Sequence, residues 1–162
     1  MLRWALLFMF MAACLPASGA TEEGCPWLNI ATAGGMLGGH VTGVRVTRPL
    51  TGDDATCSFV RSDRAQVAEL RIEVETLVSP ASAFASYLAR CHSAGVPLKG
   101  IGNQAVACTD DGRAGQLVEQ VIGRVRQRAF VVRISTNDRA ARPDALRDTV
   151  RKTAEQVAGI LF

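Results

Sequence analysis

The stretch Glu69-Leu-Arg-Ile-Glu-Val-Glu-Thr76 alternates without a break. Leu70, Ile72 and Val74 fall on one side, and Glu69, Arg71, Glu73 and Glu75 on the other. A strict period of two means a strand with one face buried and one wet, as in antiparallel sheets. Such a strand needs neighbours and a cover for its apolar side, so it constrains the fold more than any other feature. Candidate neighbours are present. His40 to Arg48 alternates in part, with Val44 and Val46 on one face, and Cys57-Ser-Phe-Val-Arg61 begins a second strand. Gln104 to Ala107 re-enters the sheet. Leu117–Arg124 and Arg128–Ser135 read as a hairpin with Phe130, Val132 and Ile134 turned inward.

Three segments carry helical signals. Asn29 can cap a short helix that Gly38-Gly39 ends in a left-handed stop. Ser79-Pro80 opens a second helix, with Phe84, Leu88 and Cys91 on one stripe. Pro143 to Leu161 is the third. Leu146, Val150, Val157, Ile160 and Leu161 form its stripe, while Arg147, Asp148, Arg151, Lys152 and Glu155 face water. The order α-βββ-α-βββ-α suggests an α-βββ duplication. The expected class is α+β, an antiparallel sheet with helices packed on one face. No linker or low-complexity stretch divides residues 21–162, which read as one domain.

The first twenty residues differ from the rest. Arg3 is their only charge, Trp4 to Ala13 is unbroken apolar sequence, and Ala17-Ser-Gly-Ala20 is a small-residue cleavage context. This is the layout of a secretory signal peptide, and the run is short of the about 20 residues that span a bilayer. Residues 1–20 are therefore expected to be removed. No later stretch is apolar enough to be a transmembrane segment, so the mature chain is expected to be soluble and exported, periplasmic or secreted. Met11-Ala12-Ala13-Cys14 resembles a lipobox, and the alternative route is lipid anchoring through Cys14. Removing Arg3 takes the formal charge from +3 to +2, a balance that implies no nucleic-acid partner.

Past the leader, the cysteines are Cys25, Cys57, Cys91 and Cys108. An even set in an exported protein reads as two disulfides. Four cysteines allow three pairings. The suspected duplication favours Cys25 with Cys57, tying the arm before the first helix to a strand, and Cys91 with Cys108, pinning the second helix to the sheet.

Other chemistry fits less well. A zinc site from Cys91, His92, Cys108, Asp110 and Asp111 lacks paired ligands two to four residues apart. Adjacent Cys91 and His92 at a helix end also project in different directions. A thiol nucleophile at Cys91 would need a low pKa, whereas its place on an apolar stripe raises it. Gly100-Ile-Gly102-Asn-Gln-Ala105 matches a dinucleotide fingerprint, yet a helix precedes it and strand-forming residues follow, the reverse of the required order. Its glycines suit a tight return into the sheet. Asp53-Asp54 and Asp110-Asp111 sit in turn sequences, where Asp is favoured for local hydrogen bonds. Trp27 reads as a core anchor. No catalytic residue, metal or cofactor is called for.

Arg124, Arg126, Arg128 and Arg133 cluster about the hairpin turn. They could grip an anionic envelope component or an acidic envelope protein. The plainer reading is a solvated hairpin whose arginines oppose edge-to-edge aggregation.

Cys25-Pro-Trp-Leu28, Leu37-Gly38, Cys57-Ser-Phe59, the Gly100–Ala105 return and a closing hydrophobic helix together resemble small exported domains common among bacterial lipoproteins, especially actinobacterial ones. The chain is also similar, more distantly, to the extracytoplasmic sensor domain of bacterial receptor kinases. The resemblance implies a disulfide-bearing α+β domain without recognised catalysis, and it supplies no catalytic residues. The expected function is non-enzymatic: a ligand- or partner-binding, sensing module of the bacterial envelope. The alternatives are an inhibitor or assembly factor acting through the basic hairpin, and a thiol enzyme.

Overall fold

The computed structural model describes residues 24–48, 54–109, 112 and 115–162. The leader read over residues 1–20, with Cys14 in it, and the carboxylates of Asp53, Asp110 and Asp111 lie outside the described residues. The chain runs α1 (Ile30–Leu37), β1 (Gly43–Thr47), β2 (Ala55–Asp63), β3 (Gln66–Thr76) and α2 (Pro80–Leu88). It continues with β4 (Val96–Leu98), β5 (Gln104–Thr109), β6 (Leu117–Val125), β7 (Arg128–Thr136) and α3 (Pro143–Leu161). The strands form one antiparallel sheet in the order β1-β2-β3-β7-β6-β5-β4, so the fold is α+β.

The alternation of residues 69–76 sets the geometry. Leu70, Ile72 and Val74 pair with Ile134, Val132 and Phe130 of β7 and point into the main core. There they meet Cys57 and Phe59 of β2, Val121 of β6, α1 and α3. Complete burial of a Phe, Leu or Ile of this kind stabilises the fold by about 1.5–3 kcal/mol. α1 forms where the sequence signals it: the Asn29 side chain accepts from the Thr32 N–H at 2.8 Å, and Gly38 ends the helix at φ +72°.

On α3, Val150, Ala154, Val157, Ala158 and Leu161 are buried. Ile160, expected on this stripe, lies off it and is 50% exposed. Ala154, Ala158 and Thr153 fill the seam instead, and their small size lets the helix lie close to β6 and β7.

The expectation that the helices share one face is corrected. α1 and α3 cover one face, whereas α2 lies on the other, where Phe84 and Tyr87 with Leu77 pack on Ile122, Ala129 and Val131. The cause is in β6 and β7. Val121-Ile122 and Ala129-Phe-Val-Val132 are apolar at consecutive positions, so these strands need cover on both sides. The halves mirror each other in strand order about the β3–β7 seam, but α2 sits opposite α1 and β4 is an added strand. β4 escaped the sequence reading because it is three residues long with Pro97 at its centre; an edge strand tolerates that proline.

Both disulfides join the expected partners. Cys25–Cys57 ties the arm before α1 to β2, and Cys91–Cys108 ties the segment after α2 to β5. The return before β5 is a backbone device, as its glycines imply. Gly100 and Gly102 have φ of +80° and +60°. Asn103 N–H donates to the Arg124 carbonyl at 2.8 Å, and the Asn103 side chain accepts from the Arg126 N–H, holding Arg126 at φ +53° in the β6–β7 turn.

A Cβ on Gly102 would lie 2.5 Å from the Arg124 carbonyl oxygen, in a backbone conformation that L side chains rarely adopt. Gly102→Ala is therefore expected to lower stability by about 1–3 kcal/mol or more, read as a fall in the urea midpoint. Glu119, 2% exposed beneath α3, accepts from Arg147 Nε at 3.0 Å. Burial raises its pKa, and Arg147 offsets only part of that. With the folded value above the unfolded one, the folded state binds the extra proton. Stability should fall as pH rises through the window just above the ordinary carboxylate range. Glu119→Gln should remove this part of the slope when the two pH–stability curves are subtracted.

Candidate functional site

The wet side of β3 does not face open water along its whole length. The face opposite α1 and α3 carries Glu69, Arg71, Glu73 and Glu75 of β3, Thr56 and Ser58 of β2, Arg45 of β1, Arg133 of β7 and Gln120 of β6. α2 is nine residues long and covers only the β5–β6–β7 end of this face. Where its cover stops, Ala89, Arg90 and His92 overhang the sheet. They enclose a cleft of about 400 Å³ floored by Arg71, Glu73, Gln120, Val131 and Arg133.

Three arginines and one carboxylate set its electrostatics. Arg71 and Arg133 are direct partners across the β3–β7 ladder, a like-charge pairing that costs stability by itself. Arg90 approaches from above. Among the described residues Glu73 is the only carboxylate in the lining, accepting from Arg71 Nε at 2.7 Å and from Arg90 Nη1 at 3.1 Å. Among the described lining residues, one Glu thus sits between two arginines with Arg133 beside them, an excess of basic over acidic side chains. Arg71 also borders a second, smaller cavity of about 240 Å³ along the same face, with Arg45, Ser58 and Glu69.

The walls are held by local chemistry. The Arg90 guanidinium stacks 4.5 Å from the Tyr87 ring centroid, and the Tyr87 hydroxyl donates to Glu75. Burial, and then that hydrogen bond, push the Tyr87 pKa far above its ordinary value, so it remains a donor. Gln120 Nε2 donates to the Arg90 carbonyl at 3.3 Å, and Ser93 Oγ accepts from the Thr109 N–H at 3.1 Å. With the Cys91–Cys108 bond, these contacts fix the segment that carries His92.

The four hairpin arginines do not form one patch. Arg133 lies in the cleft. Arg124 sits over Phe84 on the same face, its guanidinium 5.9 Å from the ring centroid and its Nη1 donating to the Arg126 carbonyl. Arg126 is exposed in the turn, and Arg128 crosses to the opposite face, 5.4 Å from the Trp27 ring centroid. Trp27 is 5% exposed and belongs to the main core, as expected. Cys91 and Cys108 have their sulfurs bonded to each other, which removes the free thiolate that the nucleophile and zinc readings require. Asp54 accepts from the N–H and the hydroxyl of Thr76, the local role its turn sequence implies.

Arg71 and Arg90 carry no local sequence signal that marks them as site residues. Arg71 was legible as a wet-face residue of β3. Its meeting with Arg133 depends on a strand register that no local pattern records.

Comparison with known proteins gives no match, whether to a family model, a curated protein or a solved structure.

The Cys91–Cys108 bond closes a loop with a sequence separation of 17. Replacing both cysteines by Ala should cost about 3 kcal/mol. Denaturant unfolding of the variant, with Cys25–Cys57 intact, checks this.

Proposed function

We propose that this chain is an exported, non-enzymatic binding module of the bacterial envelope, and that its ligand is a small anionic molecule held in the Arg71–Arg90–Arg133 cleft. The observation that carries the reading is the pairing of Arg71 with Arg133 on adjacent strands beneath Arg90, with Glu73 as the one carboxylate among the described lining residues. A carboxylate, phosphate or sulfate group entering there meets guanidinium donors from three elements, a strong and directional form of anion recognition. Several points support export: the signal-peptide layout of residues 1–20, the two disulfides, and the absence of a membrane-spanning helix among the described residues. The resemblance to small exported bacterial domains points the same way.

The division of the hairpin arginines between two faces favours this reading over an inhibitor or assembly factor acting through the hairpin. The two separate cleanly in one titration series. The mature, oxidised protein is assayed by thermal shift and calorimetry against inorganic phosphate, glycerol phosphate, citrate and a uronic-acid disaccharide. At least one should raise Tm saturably. Arg71→Gln and Arg133→Gln should each weaken it roughly tenfold to a hundredfold, as expected for loss of a charged hydrogen bond. Arg126→Gln should leave it unchanged. Silence across the panel, turnover of any member, or dependence on Arg126 in place of Arg71 would reject the proposal.

A further inference from the structure

The two ends of the sheet are built differently. β4 closes one end with three residues and a proline, a combination that discourages further pairing. β1 closes the other with five residues, Gly43-Val-Arg-Val-Thr47, and no proline. Among the described residues it pairs with β2 alone.

Beside this edge runs the largest cavity described, a groove of about 1000 Å³ between the arm at Gly24-Cys25, the start of α1 and β1. Its apolar surface comes from Leu28, Ile30, Val44 and Val46, with Ile30 54% and Val44 37% exposed. Among the described residues its ionisable lining is His40, Arg45 and Arg48, with no carboxylate.

The pleat of β1 sorts these residues. Val44 and Val46 pair with Phe59 and Cys57 and share the face of the main core, whereas Arg45 pairs with Ser58 and shares the face of the anion cleft. A strand laid along the outer edge of β1 would follow the same alternation. Its side chains on one face would lie beside Val44, Val46 and Ile30, and those on the other beside Arg45. We infer that β1 is a strand-addition site for an extended segment of a partner protein in which apolar and acidic residues alternate. Main-chain hydrogen bonds to the β1 edge supply the pairing, the groove takes the apolar residues, and Arg45 selects the acidic ones. This site is separate from the Arg71–Arg90–Arg133 cleft, so either can fail without the other.

The test uses the mature, oxidised chain and backbone amide hydrogen exchange by NMR over residues 43–47. Four probes are added: a blocked Glu-Val-Glu-Val-Glu-Val peptide, its Lys-Val counterpart, the Glu-Val peptide N-methylated at alternate amides, and anionic phospholipid vesicles. The Glu-Val peptide should slow exchange along β1 by about tenfold, while the Lys-Val and N-methylated peptides leave it unchanged. Arg45→Glu should transfer the preference to the Lys-Val peptide. Several results overturn the inference: no protection by the Glu-Val peptide, equal binding of the N-methylated form, or protection by vesicles in place of peptide. Protection already present without any probe at the outward-facing β1 amides, those not bonded to β2, does so too. If it grows with protein concentration the occupant is a second copy, and if not, the chain covers its own edge.

Discussion

The pairing of β3 with β7, from Ala68 opposite Thr136 to Thr76 opposite Arg128, joins the two halves of the chain into one sheet. Its register serves both sides at once. On one side it sets Leu70, Ile72 and Val74 against Ile134, Val132 and Phe130, which are among the most deeply buried side chains. On the other it sets Arg71 against Arg133. A slip of one residue would send every one of these side chains to the opposite face. The apolar side is therefore what forces two guanidinium groups together: burial dictates the register, and the register dictates the charge pattern of the cleft.

Around that seam the cover is unequal. α1 and α3 close the larger core over one face, and the short α2 closes a smaller one over part of the other. A longer second helix would have buried the polar half of the sheet at a cost in desolvated charge. Stopping at Leu88, it leaves Glu73, Arg71 and Arg133 accessible and supplies Arg90 from its own C-terminal side. Cys91–Cys108 and the Gln120 amide then hold the chain where the helix has ended.

Much of this was legible residue by residue. The alternation at 69–76, the caps of α1 and the glycine return at 100–102 follow from local rules, because each is decided by a few neighbouring side chains. The cysteine pairs follow only from the suspected duplication, since spacing leaves three pairings open. The side taken by α2 was also written in the sequence, in the consecutive apolar residues Val121-Ile122 and Ala129 to Val132, but only to a reading that asks whether a strand is buried twice. Three things were not legible. β4 is too short to show a period, and Ile160 lies just beyond a helix stripe that small residues complete. The cleft arises from the coincidence of Arg71, Arg90 and Arg133, which lie far apart in the chain and meet only through register and the length of α2.

The double burial of β6 and β7 has a bearing on how the chain survives synthesis. Until both layers of helix have closed, Val118 to Val132 is a β-prone apolar stretch with no shelter, the kind of segment that draws other chains into aggregates. Arginines interrupt it at Arg124, Arg126 and Arg128, and Arg133 ends it. In the finished molecule these four go separate ways: into the cleft, over Phe84, into solvent and over Trp27. Spaced through one strand-forming stretch, the same four charges oppose the pairing of like strands.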